Sequence, residues 1–298
     1  MTTILVSGKT GQVGRELQTA LAPLGTVVAL DRADLDLASP DSIRRAVRNA
    51  RPGIIVNAAA YTAVDKAESE PDLAMQINGI APGILAEEAK RLGAILVHYS
   101  TDYVFDGALG RPYTEEDAPH PVSEYGRSKL EGERAIQQAG GAFLILRTSW
   151  VYSHRGSNFV LSVLRLARER HELPMVTDQV GSPTWARPLA EATAKLLSKG
   201  DAVEKHPGVY HLSATDHVSR HDFAAAIVRM GKMSDTSARW AKLKPIASRE
   251  YPQPATRPAQ AMLSNEKIQR VFGLQLPGWE SQLADFMREY GKGPRTQQ

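Results

Sequence analysis

Five short apolar, β-branched runs punctuate the first half of the chain: TILVSG (3–8), TVVAL (26–30), GIIVNAAA (53–60), AILVHYST (94–101) and FLILRTSW (143–150). Between them lie longer stretches with helical spacing: GQVGRELQTALA, SPDSIRRAVRNA, PDLAMQINGIAPGILAEEAKRLG and VSEYGRSKLEGERAIQQAG. Ser39 before Pro40, and Pro71 before Asp72, supply helix-start chemistry, and Gly25, Gly93 and Gly140 stand where helices should stop. Strands that are apolar throughout, alternating with helices of this length, predict parallel strands joined by crossovers and covered on both faces. The expected fold is α/β, a doubly wound parallel sheet, Rossmann-like. After residue 150 the alternation breaks down. Helical patterns persist at 157–170, 186–199, 220–230 and 279–290, separated by proline-containing loops such as LKPIASREYPQPATRP (243–258), and GVYHLS (208–213) could extend the sheet. The expected division is a nucleotide-binding-type domain over 1–150 and a smaller, mainly helical lobe over 151–298, with some segments returning to the sheet.

Composition narrows the class. At 298 residues, 42% apolar and 23% charged, the chain should bury a sizeable core, and only the GKGPRTQQ tail reads as loose. A net charge of +3 from 36 basic and 33 acidic side chains gives no footprint for nucleic acid. The absence of cysteine removes disulfides, thiolate nucleophiles and thiolate metal sites, and fits a reducing compartment. No window approaches the roughly 20 apolar residues of a membrane helix, and MTTILVSGKTGQVG lacks the pattern of a signal peptide. A soluble, cytoplasmic protein is the expectation.

The first candidate chemistry is a glycine turn. Gly8, Gly11 and Gly14, with Gln12 and Val13 between them, follow the first strand directly and open the first helix. Glycines there let the chain turn sharply and bring backbone N–H groups to a pyrophosphate at the helix N-terminus. The spacing resembles the G-x-x-G-x-x-G turn of the short-chain dehydrogenase/reductase superfamily. A phosphate loop of the Walker type is excluded, because Thr3 stands where its first glycine is needed. Asp31 ends the second strand and could meet ribose hydroxyls, favouring NADH, while Arg32 beside it could meet a 2′-phosphate, favouring NADPH. The two signals leave the choice open. Asp36 and Leu37 would flank the adenine, and Ala60, Tyr61 and Thr62 would line the middle of the cofactor.

The second is the pair Tyr125 and Lys129 in SEYGRSKLEGE, four residues apart and so on one helix face. A tyrosine titrates near 10, and a neighbouring ammonium favours the phenolate, so the lysine could tune the phenol as an acid while holding ribose hydroxyls. The fourth strand ends in YSTDYVFDG, placing Tyr99, Thr101 and Asp102 at the carboxyl edge of a parallel sheet, where ligands of such folds bind. Tyr99 joins the cofactor-binding set, and Thr101 and Asp102 the substrate-binding one.

Taken together, GKTGQVG, VNAAAYTAVDKAE, VHYSTDYVFDG, YGRSKLEGE, RTSWVY and DQVGSPT resemble the dTDP-4-dehydrorhamnose reductases, a family of extended short-chain dehydrogenase/reductases. The resemblance spans nearly the whole chain. It implies reduction of the 4-keto group of a dTDP-6-deoxyhexulose by NADPH or NADH, the last step in making dTDP-L-rhamnose. Tyr125 would donate the proton, Lys129 would bind ribose and lower the phenol's pKa, and Thr101 would adjust proton affinity. Trp150 would pack on the deoxysugar and Arg257 would meet the diphosphate. The resemblance also raises a magnesium ion on glutamates, with Glu16 and Glu289 as candidates; Arg187 stands where a third acid is wanted and argues against it. A homodimer is left open. Two other readings compete: an epimerase or dehydratase of the same superfamily, and a non-catalytic module like the regulatory subunit of methionine adenosyltransferase. His217 and His221 have zinc-helix spacing, but Val218 replaces the glutamate of H-E-x-x-H, and His98 reads as structural.

Overall fold

The computed structural model describes residues 1–291, so most of the GKGPRTQQ tail lies outside the described residues. Six strands form one parallel sheet: β1 (Thr2–Ser7), β2 (Gly25–Leu30), β3 (Ile54–Asn57), β4 (Ile95–Thr101), β5 (Phe143–Thr148) and β6 (Gly208–His211). Their spatial order is β6-β5-β4-β3-β1-β2. Successive side chains feed opposite cores. Ile4 and Val6 join a cluster with Leu17, Leu189 and Tyr210, whereas Leu5 joins Ile43, Leu85 and Ile145 on the other face. Two covered faces explain why these strands are predominantly apolar and do not alternate with polar positions.

The chain leaves β1 toward β2 on one side and returns to place β3 on the other, which opens a crevice at the carboxyl ends of β1 and β3. Helix starts form as the local chemistry dictates. The Ser39 side chain accepts the N–H of Ser42 ahead of the Pro40–Ala50 helix, and Ser123 accepts that of Gly126 ahead of Glu124–Ala139. The long pattern at 71–93 is broken by a π turn at Gln76–Ile80, between Pro71–Met75 and Ala81–Leu92.

Past residue 150 the chain serves both regions. The Ala186–Leu197 helix packs on the Gln12–Leu21 helix, and β6 extends the sheet beside β5. A separate core joins Tyr152, Trp185, Phe223 and Phe286 and is built largely from the Phe159–Glu169, Arg220–Ser234 and Trp279–Tyr290 helices. The stretch read as a loop from 243 partly forms a strand, Lys242–Ile246, which pairs in parallel with Glu172–Val176. Pro245 is tolerated there because the two-stranded ribbon leaves each strand one free edge.

Candidate active site

The glycine turn is closed upon itself. Gly8 has φ +75°, and a Cβ on Gly14 would stand 2.0 Å from the Gly8 carbonyl oxygen, which also accepts the N–H of Gly11 at 2.9 Å. Only a bare Cα lets the Gln12–Leu21 helix start this near the turn, with its first N–H groups facing the crevice. Gly14→Ala is therefore expected to weaken NADPH binding at least about tenfold, roughly the cost of one or two lost phosphate contacts; fluorescence titration measures it. Val13 packs against the core, and the Gln12 side chain accepts from Asn158 Nδ2 at 3.0 Å, tying the turn to the second lobe.

At the other end of the crevice, Asp31 forms an ion pair with Lys9 at 3.0 Å, and Lys9 also reaches Asp34 at 2.9 Å. Lys9 holds the Asp31 carboxyl below its ordinary range. Arg32 is largely exposed and lies 3.8 Å from Asp36. Lys9 is thus a cation beside the candidate ribose carboxylate that sequence reasoning did not single out. Leu37 is buried in the core, and the Asp36 carboxylate accepts the N–H of Ala38. Ala60, Tyr61 and Thr62 follow β3 and are held by a residue that sequence reasoning missed. Asn78, in the π turn, accepts the Tyr61 N–H at 2.8 Å and donates to the Tyr61 carbonyl at 3.0 Å and to Ser128 Oγ at 3.1 Å. It ties the loop after β3 to the Tyr125 helix, and π turns recur at functional sites.

Tyr125 and Lys129 lie one turn apart on the Glu124–Ala139 helix, as their spacing predicts, but their polar ends have different company. The Tyr125 ring meets Tyr103 edge-on at 5.4 Å, and the Thr101 hydroxyl approaches the phenol. Lys129 is buried; its Nζ donates to the Tyr99 carbonyl at 2.6 Å and lies 3.0 Å from His98 Nε2. Burial pulls the ammonium down to about 8, with Glu133 opposing. Tyr125 is itself raised above the usual phenol range, chiefly because its surroundings desolvate the phenolate, with the Thr101 hydroxyl opposing. The expected acidification of the phenol by Lys129 is therefore not realised in this conformation: Nζ is held at β4 by the Tyr99 carbonyl and His98. Tyr99 takes part through its carbonyl alone, since its hydroxyl lies 2.6 Å from Thr193 Oγ1 in the core.

Beyond the phenol, Thr101 Oγ1 donates to Asp102 Oδ1 at 3.0 Å, and Ser149 Oγ donates to Asp102 Oδ2 at 2.7 Å. Burial pushes the Asp102 carboxyl up to about 6. Trp150 adopts φ +45°, and its indole lies against Gly181, where an added Cβ would stand 2.6 Å from the ring. The guanidinium of Arg220 stacks on that indole at 3.6 Å and over Phe159 at 4.9 Å. Sequence reasoning did not single out Arg220, which opens the Arg220–Ser234 helix and reaches the site only through the fold. Arg257, expected to meet a diphosphate, has a carboxylate partner within the chain. It pairs with both carboxylate oxygens of Asp65, at 3.0 and 2.8 Å, and so fastens the 255–257 segment to the chain just past the cofactor loop.

The magnesium expectation does not fit these residues. Arg187 itself stands between the two candidate acids, at 3.1 Å from Glu16 and 2.6 Å from Glu289, and among the described residues no group of three acidic or histidine side chains could hold a metal. A guanidinium already supplies the positive charge there. A chelator is expected to leave the melting temperature unchanged, while Arg187→Ala lowers it by exposing two like charges to one another; thermal denaturation with and without chelator checks both. His217 contacts Ser182 Oγ at 2.9 Å and His221 contacts Asp222 at 3.1 Å, so these two rings have separate partners.

A parallel sheet crossed by a glycine turn at its switch point, with Tyr and Lys one helical turn apart beside the carboxyl edge of β4, defines a short-chain dehydrogenase/reductase. More narrowly, the chain belongs to the RmlD substrate binding domain family, whose model matches residues 1–292. It is 48% identical to a dTDP-4-dehydrorhamnose reductase of Burkholderia thailandensis, over 93% of this chain and 95% of that one. It is 45% identical to the Escherichia coli protein of the same name, over 93% and 94% respectively. Among solved structures, a dTDP-4-dehydrorhamnose reductase from Bacillus anthracis in complex with NADP superposes with a TM-score of 0.88 at 35% identity, covering 97% of this chain and 99% of that one. Among the described residues no helix is long and apolar enough to cross a membrane.

Proposed function

We propose that this protein is an oxidoreductase that reduces the 4-keto group of dTDP-4-dehydro-L-rhamnose to dTDP-L-rhamnose, using NADPH or NADH, in the cytoplasm. The observation that carries the reading is the Tyr125 phenol beside the Thr101 hydroxyl at the carboxyl edge of β4, on the same helix as Lys129, in a sheet whose first strand runs into the glycine turn. A bound reduced nicotinamide supplies the hydride. The chain's own residues do the rest. The turn of Gly8, Gln12, Val13 and Gly14 offers N–H groups to the pyrophosphate, and Asp31 with Lys9 takes the adenosine ribose. Lys129 holds the other ribose, and Tyr125 gives its proton to the forming alkoxide oxygen. Thr101 accepts or donates at the same oxygen, and Asp102, fixed by Ser149, orients Thr101. Trp150 supplies an apolar wall for the deoxysugar. In this division of labour, residues 1–150 and the segments returning to the sheet serve the dinucleotide, and the remainder of 151–298 serves the dTDP-sugar.

The test is an assay with purified protein, the 4-keto dTDP-sugar and NADPH or NADH. One nicotinamide should be oxidised per sugar reduced. Turnover of a dTDP-sugar with no net loss of reduced nicotinamide would point to an epimerase or dehydratase, and tight dinucleotide binding with no turnover to a regulatory module.

A further inference from the structure

His98 reads from the sequence as a structural residue, and the structure gives it two specific partners. Its Nε2 lies 3.0 Å from Lys129 Nζ, and its Nδ1 lies 3.0 Å from Asn57 Nδ2. Asn57 Oδ1 accepts from Ser7 Oγ at 2.6 Å, and Ser7 Oγ accepts the Ala59 N–H at 3.3 Å. Ser7, Asn57 and His98 stand at matching registers on β1, β3 and β4, so the sheet itself lays the three side chains in a row. Each of Ser7, Asn57, His98 and Lys129 is only 1% exposed, with the apolar Val6, Val56 and Val97 one position back along the three strands. A polar row inside a sheet core costs desolvation free energy unless its donors and acceptors match throughout.

Matching them couples the row to the charge of Lys129. An ammonium has hydrogens and no lone pair, so it requires an acceptor at His98 Nε2. The imidazole proton then sits on Nδ1 and must meet the Asn57 carbonyl oxygen, which turns the amide so that its NH₂ faces Ser7 Oγ. A neutral amine reverses every link: Nε2–H donates to Nζ, Nδ1 accepts from the Asn57 NH₂, and the Ser7 hydroxyl donates to Oδ1. The amide orientation found belongs to this second arrangement, and a rotation of that one amide converts it to the first.

We propose that His98 is a positioning residue for the reaction, which through Asn57 and Ser7 fixes Lys129 Nζ beneath the crevice and ties its proton count to the direction of a buried hydrogen-bond chain. The proposal rests on the reductase reading for the role of Lys129. The other groups facing Lys129 are few. On its own helix, Glu133 is one turn onward with its charge matched by Arg147, and Tyr125 is one turn back; on β4, the Tyr99 carbonyl accepts from Nζ. The His98 ring, held neutral by burial and by Lys129, contributes a lone pair and no charge.

Two substitutions separate the two ring nitrogens. His98→Gln places an amide where Nε2 was and keeps an acceptor for Lys129, whereas His98→Asn keeps the partner of Asn57 and abandons Lys129. For each, the pH dependence of kcat/KM and, without sugar, of NADPH affinity is measured alongside the melting temperature. Losing an acceptor disfavours the ammonium, so in His98→Asn the alkaline limb of both profiles is expected to move to lower pH by about one to two units, with kcat reduced roughly tenfold or more. In His98→Gln the limb stays close to that of the unaltered protein. Profiles that stay in place in both variants, or that shift equally in both, overturn the proposal. Because NADPH titration needs no sugar, that failure is distinguishable from failure of the reductase reading, in which the unaltered protein would not reduce the 4-keto sugar.

Discussion

Tyr125→Phe is expected to lower turnover by about 10²- to 10⁴-fold while leaving NADPH affinity nearly unchanged. The substitution removes one oxygen and keeps the ring that packs edge-on against Tyr103. Neither helix nor sheet should respond, because none of the packing around the Glu124–Ala139 helix depends on the hydroxyl. The structure sharpens this expectation. Tyr125 sits above the ordinary phenol range, so it is protonated across neutral pH and charged with the proton it must deliver. Its difficulty lies in releasing that proton, and the Thr101 hydroxyl, turned from Asp102 toward the phenol, is the neighbour that favours the phenolate. Thr101→Val should accordingly act in the same direction with a smaller loss, on the order of tenfold to a hundredfold, seen in kcat rather than KM. Steady-state kinetics and NADPH titration on the two variants check the pair.

Arg147→Met is expected to be the most destabilising single change in the sheet. Arg147 on β5 donates from Nε and Nη2 to the two carboxylate oxygens of Glu133, at 2.9 and 2.6 Å, and both side chains are almost wholly enclosed. Removing the guanidinium strands a buried carboxylate with the Ser100 hydroxyl as its remaining hydrogen-bond donor, which costs about 3–5 kcal/mol in such settings. The Glu133 helix also carries Tyr125 and Lys129, so partial loss of activity should accompany the loss of stability. A double variant, Arg147→Met with Glu133→Leu, removes both charges and should recover most of the stability, because an apolar pair of similar volume can replace a buried ion pair. Denaturant unfolding of the three proteins measures the effect.

The features legible in the sequence were those that a local pattern dictates. Apolar runs located five strands and GVYHLS the sixth, because a strand buried on both faces is apolar at most positions. The three glycines were legible since a turn this tight admits no Cβ at Gly14. The Tyr125–Lys129 pair was legible because helical periodicity alone puts the two on one face. What remained hidden depends on partners distant in the chain. Arg257 meets Asp65 across 192 positions, and no spacing rule foretells that pairing. Lys9 gains meaning from Asp31 and Asp34, Asn78 from a π turn, and Arg220 from a tryptophan that Gly181 keeps in place. Lys129 shows the same limit from the other side. Its position followed from spacing, but its burial against His98 and the Tyr99 carbonyl follows from the sheet below.

The most direct measurement follows the hydride itself. NADPH carrying deuterium at the transferring position of its nicotinamide is incubated with the protein and the 4-keto dTDP-sugar, and the product is examined by nuclear magnetic resonance. The account predicts dTDP-L-rhamnose with one deuterium at the fourth carbon of the sugar for each nicotinamide oxidised. A sugar product with no deuterium at that carbon, formed at a comparable rate, would contradict it.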